Sequence, residues 1–183
     1  MRDIMLVLLA GLVADNLICN RLIGLTGSEF SLDTFRNSLL FGVSATAVSF
    51  ISTLLCYPIF RYILIPLGGQ YFYIFISVLI TVGVFFAATR ALPKVLRGFN
   101  YVHKTVLLAT ALGIVTICLR AGNMLLALLS SVFYGLGLLL TLCIFFCARL
   151  SLKESRVPAF FKGPPIDLII IAIIALVFNG FKG

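Results

Sequence analysis

Long apolar runs recur along the whole chain, broken by short clusters of proline, glycine and charge. A run such as Ile166-Asp167-Leu168-Ile169-Ile170-Ile171-Ala172-Ile173-Ile174 does not alternate polar and apolar positions. That excludes a β-barrel, whose strands need about 10 residues of alternation. Cutting the chain at the interruptions predicts six helical spans: Ile4 to about Leu25, Asn37 to Phe60, Gln70 to Thr89, Tyr101 to Leu119, Met124 to Ala148, and Ile166 to Phe181. Each has roughly 16–25 residues, near the ~20 that cross a ~30 Å hydrocarbon core. The first begins Met1-Arg2-Asp3 like a signal peptide, but apolar character resumes after Asn16, so it reads as a retained helix.

Composition names the solvent. Of the 183 residues, 62% are hydrophobic and only 11% charged; soluble domains are about 25% charged, so the chain lacks the polar surface to face water. It reads as an all-α membrane protein, a single integral membrane domain over residues 1–183. The basic residues then orient it, because basic loops stay cytoplasmic. Arg21, Arg36, Arg90, Lys94, Arg97, Lys104, Arg149, Lys153, Arg156 and Lys162 fall on one side of the six spans; Arg2, Arg61, Arg120 and Lys182 fall on the other. This predicts a multi-pass protein of the cell's inner, cytoplasmic membrane with both termini outside. The net charge of +8 is spread over short loops that meet lipid headgroups, and nucleic acid is not an expected partner.

The chain also echoes itself. Ser38-Leu39-Leu40-Phe41-Gly42-Val43 in the second span matches Ser131-Val132-Phe133-Tyr134-Gly135-Leu136 in the fifth. Three spans per repeat would make the halves, about 1–92 and 93–183, inverted with respect to each other. Such proteins build midplane sites from discontinuous helices, so the first and fourth spans are expected to be broken. The first carries Asp15, Asn16, Asn20 and Arg21 before Gly24-Leu25-Thr26-Gly27; the fourth carries Ala109-Thr110-Ala111-Leu112-Gly113. Ionisable groups are costly in a membrane, which makes the four polar residues of the first span candidates for an ion pathway. The bland alternative has Arg21 snorkelling to the interface and Asp15 capping a half-helix.

Three stretches carry a family resemblance. One is Val157-Pro158-Ala159-Phe160-Phe161-Lys162-Gly163 with the closing helix that ends Gly180-Phe181-Lys182-Gly183; the second is Ser131 to Gly135; the third is Asn16 followed by Leu22-Ile23-Gly24-Leu25. Together with Pro93-Lys94-Val95-Leu96-Arg97, they resemble the Rnf and Nqr integral membrane subunits of the RnfA and NqrE type. The resemblance implies a membrane subunit of a complex that couples redox chemistry to Na⁺ or H⁺ translocation. Such a subunit is non-catalytic or an electron relay, partnered by a homologous inverted six-helix sister and by other redox subunits. It further implies a [2Fe-2S] cluster held by cysteines from the first and fourth helices of both sisters.

The chain departs from that pattern where the cluster would be held. The cysteine expected after Gly24-Leu25 is Thr26, and its counterpart falls at Thr110 or Leu112, depending on where the alignment is anchored. Clusters need soft, deprotonated sulfur, so retention of the cluster is in doubt. This opens an alternative: a paralogue that acts as a scaffold, or as a small-molecule or ion transporter, without electron transfer. Five cysteines remain. Cys19 and Cys118 are each displaced by roughly 10 Å from the degenerate positions toward the same face, at 1.5 Å per residue, and so are candidate cofactor ligands at similar depth. Cys143 and Cys147, at i and i+4, read as buried small hydrophobes. His103 reads as an interfacial residue and Asp167 as a helix N-terminal acid favoured by the dipole. Tyr57, Tyr62, Tyr71, Tyr73 and Tyr101 read as an interfacial aromatic belt. No motif for nucleotide, flavin or metal is present in the sequence.

Overall fold

The computed structural model describes Ile18 and residues 35–91, 101–153 and 164–180. These form five α-helices: α1 (Phe35–Ile59), α2 (Tyr73–Ala91), α3 (Tyr101–Cys118), α4 (Met124–Lys153) and α5 (Pro164–Gly180). They correspond to the second through sixth predicted spans; the first lies outside the described residues apart from Ile18. Three segments, Phe35–Leu64, Tyr73–Arg90 and Met124–Leu152, are long and apolar enough to cross a membrane, and two shorter apolar helices accompany them.

The helices are turned polar side in. Ser49, Ser52, Thr53, Thr81, Thr110 and Ser131 are fully buried, whereas Phe75, Leu79, Phe86, Leu168, Ile173 and Leu176 are exposed. Water would drive the reverse arrangement; hydrocarbon as the solvent allows this one. Buried hydroxyls are satisfied within their own helices: Thr46 Oγ1 donates to Gly42 O at 2.7 Å, Thr81 Oγ1 to Ser77 O at 2.7 Å and Thr141 Oγ1 to Gly137 O at 2.9 Å.

The side-chain contacts give the relative directions of the helices. Thr53 lies beside Cys118, and one turn further along both helices Tyr57 Oη donates to Ala121 O at 3.3 Å, so α1 and α3 run parallel. On α4 the order reverses: Gly42 faces Leu139, Thr46 faces Gly135, and Ser131 Oγ donates to Ser49 Oγ at 3.3 Å. Helices α1 and α4 are therefore antiparallel, as second and fifth spans of an alternating chain must be. Their close approach is reciprocal. Gly42 meets the residue four beyond Gly135, and Gly135 meets the residue four beyond Gly42, so the echoed Ser-x-x-x-Gly segments form the tightest seam of the bundle. Phe41, Ala45, Leu107, Ala111 and Leu138 surround this seam as the central apolar cluster, which Ile18 also joins at 2% exposure.

Several expectations are corrected. The fourth span is one continuous helix, α3, through Gly113. Thr110 Oγ1 donates to Leu107 O at 2.8 Å and Thr116 Oγ1 to Gly113 O at 2.9 Å; both hydroxyls bond back along the helix. The small residues serve close packing and do not interrupt the ladder. Helix α4 runs five residues past Ala148 because Arg149 finds a partner on α5. Helix α1 passes Pro58, which cannot donate a backbone hydrogen bond, and re-registers as a π-helical turn over Phe60–Leu64, with Ile65 N–H donating to Phe60 O at 3.1 Å. Tyr57 is buried at 4% exposure and faces inward, since its hydroxyl reaches a turn carbonyl; Tyr62 and Tyr71 are exposed, as an interfacial belt requires. Cys147 is exposed and Cys143 half-buried, because that face of α4 looks outward to where lipid lies.

Candidate functional site

The polar residues of α1, α3 and α4 converge on one interior seam. Its α1 wall is Ser38, Ser49, Ser52 and Thr53, all 0–4% exposed, and Ser131 on α4 faces it. The spacing of Ser49, Ser52, Thr53 and Cys56 repeats every three or four residues, which lays them along one helix face. Ser49 Oγ donates to Thr46 O at 2.9 Å and accepts from Ser131. Two neighbours lack such partners: Ser52 Oγ and Thr53 Oγ1 are buried with no hydrogen-bond partner. Leaving a buried hydroxyl unsatisfied costs about 1–3 kcal/mol, so this pair marks a place where the bundle bears a polar cost that packing does not require. Chemically the seam offers uncharged oxygen dipoles, which solvate water or a small cation but carry no electrons and exchange no proton near neutral pH.

The degenerate cluster positions on α3 flank this seam. Thr110 is fully buried and its hydroxyl is committed to the Leu107 carbonyl; Leu112 is a half-buried hydrocarbon. A [2Fe-2S] cluster requires thiolate sulfur, and neither residue supplies a soft donor, so these positions do not fit cluster ligation. Cys118 is 1% exposed among Ile114, Tyr134 and Ile117, with Thr53 alongside. Among the described residues no group of three or more His, Cys, Asp or Glu side chains is placed to hold a metal ion. The remaining candidates, Asp15, Asn16, Cys19, Asn20, Arg21 and Thr26, lie outside the described residues.

At one end of the bundle, Arg149 Nε meets Asp167 Oδ1 at 3.3 Å, the side chains being 22% and 6% exposed. Asp167 is the acid in the first turn of α5, as expected. Sequence reasoning missed its partner, although two opposite charges bracketing a short loop between adjacent spans is a signal that would have found the pair. His103 is half-buried near the start of α3.

No family profile matches the chain. It is nevertheless similar along its length to bacterial proteins that are named as one subunit of the ion-translocating oxidoreductase complex. It is 28% identical over 187 residues to that of Buchnera aphidicola subsp. Baizongia pistaciae, covering 97% of this chain and 95% of the relative. With the protein of Colwellia psychrerythraea the identity is 29% over 196 residues, covering 100% and 98%. With that of Pseudoalteromonas atlantica it is 28% over 199 residues, again covering 100% and 98%. The chain is thus related along its whole length to subunits of ion-translocating oxidoreductase complexes, of the RnfA and NqrE type that its closing helix and its Ser131 to Gly135 segment resemble.

Proposed function

We propose that the chain is a membrane subunit of an Rnf-like or Nqr-like complex that couples electron transfer to translocation of Na⁺ or H⁺. The observation that carries this reading is similarity to the oxidoreductase-complex proteins over essentially the whole of both chains. The inside-out bundle and its hydroxyl-lined seam support it: an embedded subunit of a pump has a use for buried oxygen dipoles that a plain anchor lacks. Two inverted three-helix repeats are the architecture, supported by the reciprocal Gly42 and Gly135 contacts. An orientation with both termini outside is supported by the helix directions, which gather Arg36, Arg90, Lys104 and Arg149 at one end and Arg61 and Arg120 at the other.

The chain's contribution is to the ion-handling body of the complex, since Thr110 and Leu112 cannot take the place of cluster thiolates. Asp15, Asn16, Asn20 and Arg21 are the pathway residues in this reading; they bracket Ile18, which is buried in the central cluster. The partners are an inverted six-helix sister and redox-active subunits. Affinity purification of the tagged full chain from its own membrane tests this. The expected result is a stable complex containing a second six-helix protein together with at least one flavin-bearing or Fe-S-bearing protein. Migration of the chain alone, with no redox-active companion under mild detergent, overturns it in favour of a free-standing scaffold or transporter.

A further inference from the structure

The end of the bundle opposite the Arg149–Asp167 pair holds a cavity of about 360 Å³, lined by Phe60, Arg61, Tyr73, Arg120 and Gly122 among others. That volume falls in the usual range for small-ligand cavities, about 300–1,000 Å³. Its walls are fixed by three features. The π-helical turn at Phe60–Leu64 redirects the chain after Pro58 and sets where Arg61 projects. The Tyr57 to Ala121 hydrogen bond pins that turn to the α3–α4 connection that bears Arg120. The rings of Phe60 and Tyr73 meet edge to face, with centroids 6.0 Å apart, and close the side toward α2.

The charge of this cavity is one-sided. Two guanidinium groups line it and no carboxylate does. The one acidic residue among the described residues, Asp167, is at the other end of the bundle, paired with Arg149. Two arginines drawn to one cavity without a counter-ion repel each other, and their planar forks match the oxygens of a phosphate. The depth of the cavity is set by its rim: Tyr62, Tyr71 and Phe72 are 76%, 92% and 66% exposed at the same end. Exposed aromatic residues gather at the headgroup level of a bilayer. Pro66 and the positive-φ Gly68 make the adjoining turn and keep the chain from covering the mouth.

We propose that this cavity is a phosphate-binding site, formed by Arg61 and Arg120, that seats the phosphodiester headgroup of an anionic phospholipid. The ring pair faces the glycerol and acyl region while the two guanidiniums hold the phosphate oxygens. The proposal is independent of the redox assignment.

Native mass spectrometry of the full chain, extracted from its membrane with whatever partners remain bound and titrated with phosphatidylglycerol, tests it. The expected result is retention of phosphatidylglycerol over phosphatidylcholine, weakened about tenfold or more in R61Q/R120Q, each charge-assisted phosphate contact being worth about 1.5–3 kcal/mol. The R36Q/R90Q control, at the opposite end, should leave retention unchanged. The R61K/R120K variant keeps charge but loses the fork, and should fall between wild type and R61Q/R120Q, which separates recognition from folding. Equal retention by wild type and R61Q/R120Q overturns the site. Arginine-dependent binding of inorganic phosphate that phosphatidylglycerol does not displace overturns the lipid assignment in favour of a free phosphate.

Discussion

Replacing Gly135 by leucine is expected to separate α1 from α4 and abolish the folded bundle. A Cβ at position 135 would meet Thr46 through its Oγ1 and Cγ2 and would lie 2.8 Å from its Cβ. Thr46 cannot swing aside cheaply, because it is β-branched and its Oγ1 is bonded to Gly42 O. Alanine at position 135 therefore costs about 1–3 kcal/mol by overpacking, and leucine, with three further carbons in the same space, costs more than a marginally stable bundle sustains. Gly42→Ala is the informative contrast. Its Cβ would meet the Leu139 side chain, with the Leu139 backbone at 3.6 Å, and a leucine side chain can repack. Thermal melting in detergent, followed by circular dichroism, should order the variants wild type, Gly42→Ala, Gly135→Ala, Gly135→Leu from most to least stable. Equal melting of the two alanine variants would show that the seam yields symmetrically and that Thr46 does not lock it.

The second large effect is expected at the pair that joins α4 to α5, and it is asymmetric. Asp167 has a short side chain that is only 6% exposed, whereas Arg149 is long and 22% exposed. Removing Asp167 leaves a guanidinium that reaches the interface by snorkelling, so Asp167→Ala costs about 1–2 kcal/mol, below the usual figure for a broken buried pair. Removing Arg149 takes its guanidinium away from a carboxylate that has no such route out, and Arg149→Met costs about 3–5 kcal/mol. The double variant R149M/D167L places hydrocarbon on both sides of the contact and should recover most of the loss, since apolar replacements of buried ion pairs are often neutral or stabilising. A thermodynamic cycle over these three variants checks the claim; a larger loss for Asp167→Ala than for Arg149→Met would contradict it.

Much of this architecture was legible in the sequence because bilayer thickness fixes span length. The apolar runs located α1 to α5 to within a few residues, apart from the extension of α4 past Ala148. The Ser38 and Ser131 echoes marked the two segments that pack on one another, because small residues recur where membrane helices approach closely. What composition could not show was continuity. Ala109 to Gly113 looked like a break, yet threonines that bond back to their own helix satisfy the ladder and leave α3 whole. The π-helical turn after Pro58 was equally hidden, since a proline reads as an interruption whether the chain stops or re-registers. Tyr57 and Tyr62 sit near the same span end, but one faces a turn carbonyl and the other points outward. Their difference is a matter of helical phase, which an almost uniformly apolar sequence does not reveal. At the candidate site, the loss of cluster thiols was legible directly from Thr110 and Leu112. The orphaned Ser52 and Thr53 hydroxyls were not, because only packing shows that a hydroxyl lacks a partner.

The central claim is that this chain is required for redox-driven ion movement. Sealed inverted membrane vesicles, prepared from cells with and without the chain, test it most directly when given the complex's reductant and scored for uptake of labelled Na⁺ or for acidification of the lumen. The account predicts that reductant-dependent uptake disappears without the chain, returns with the wild-type sequence, and does not return with Gly135→Leu. Uptake that persists undiminished when the chain is absent would contradict it.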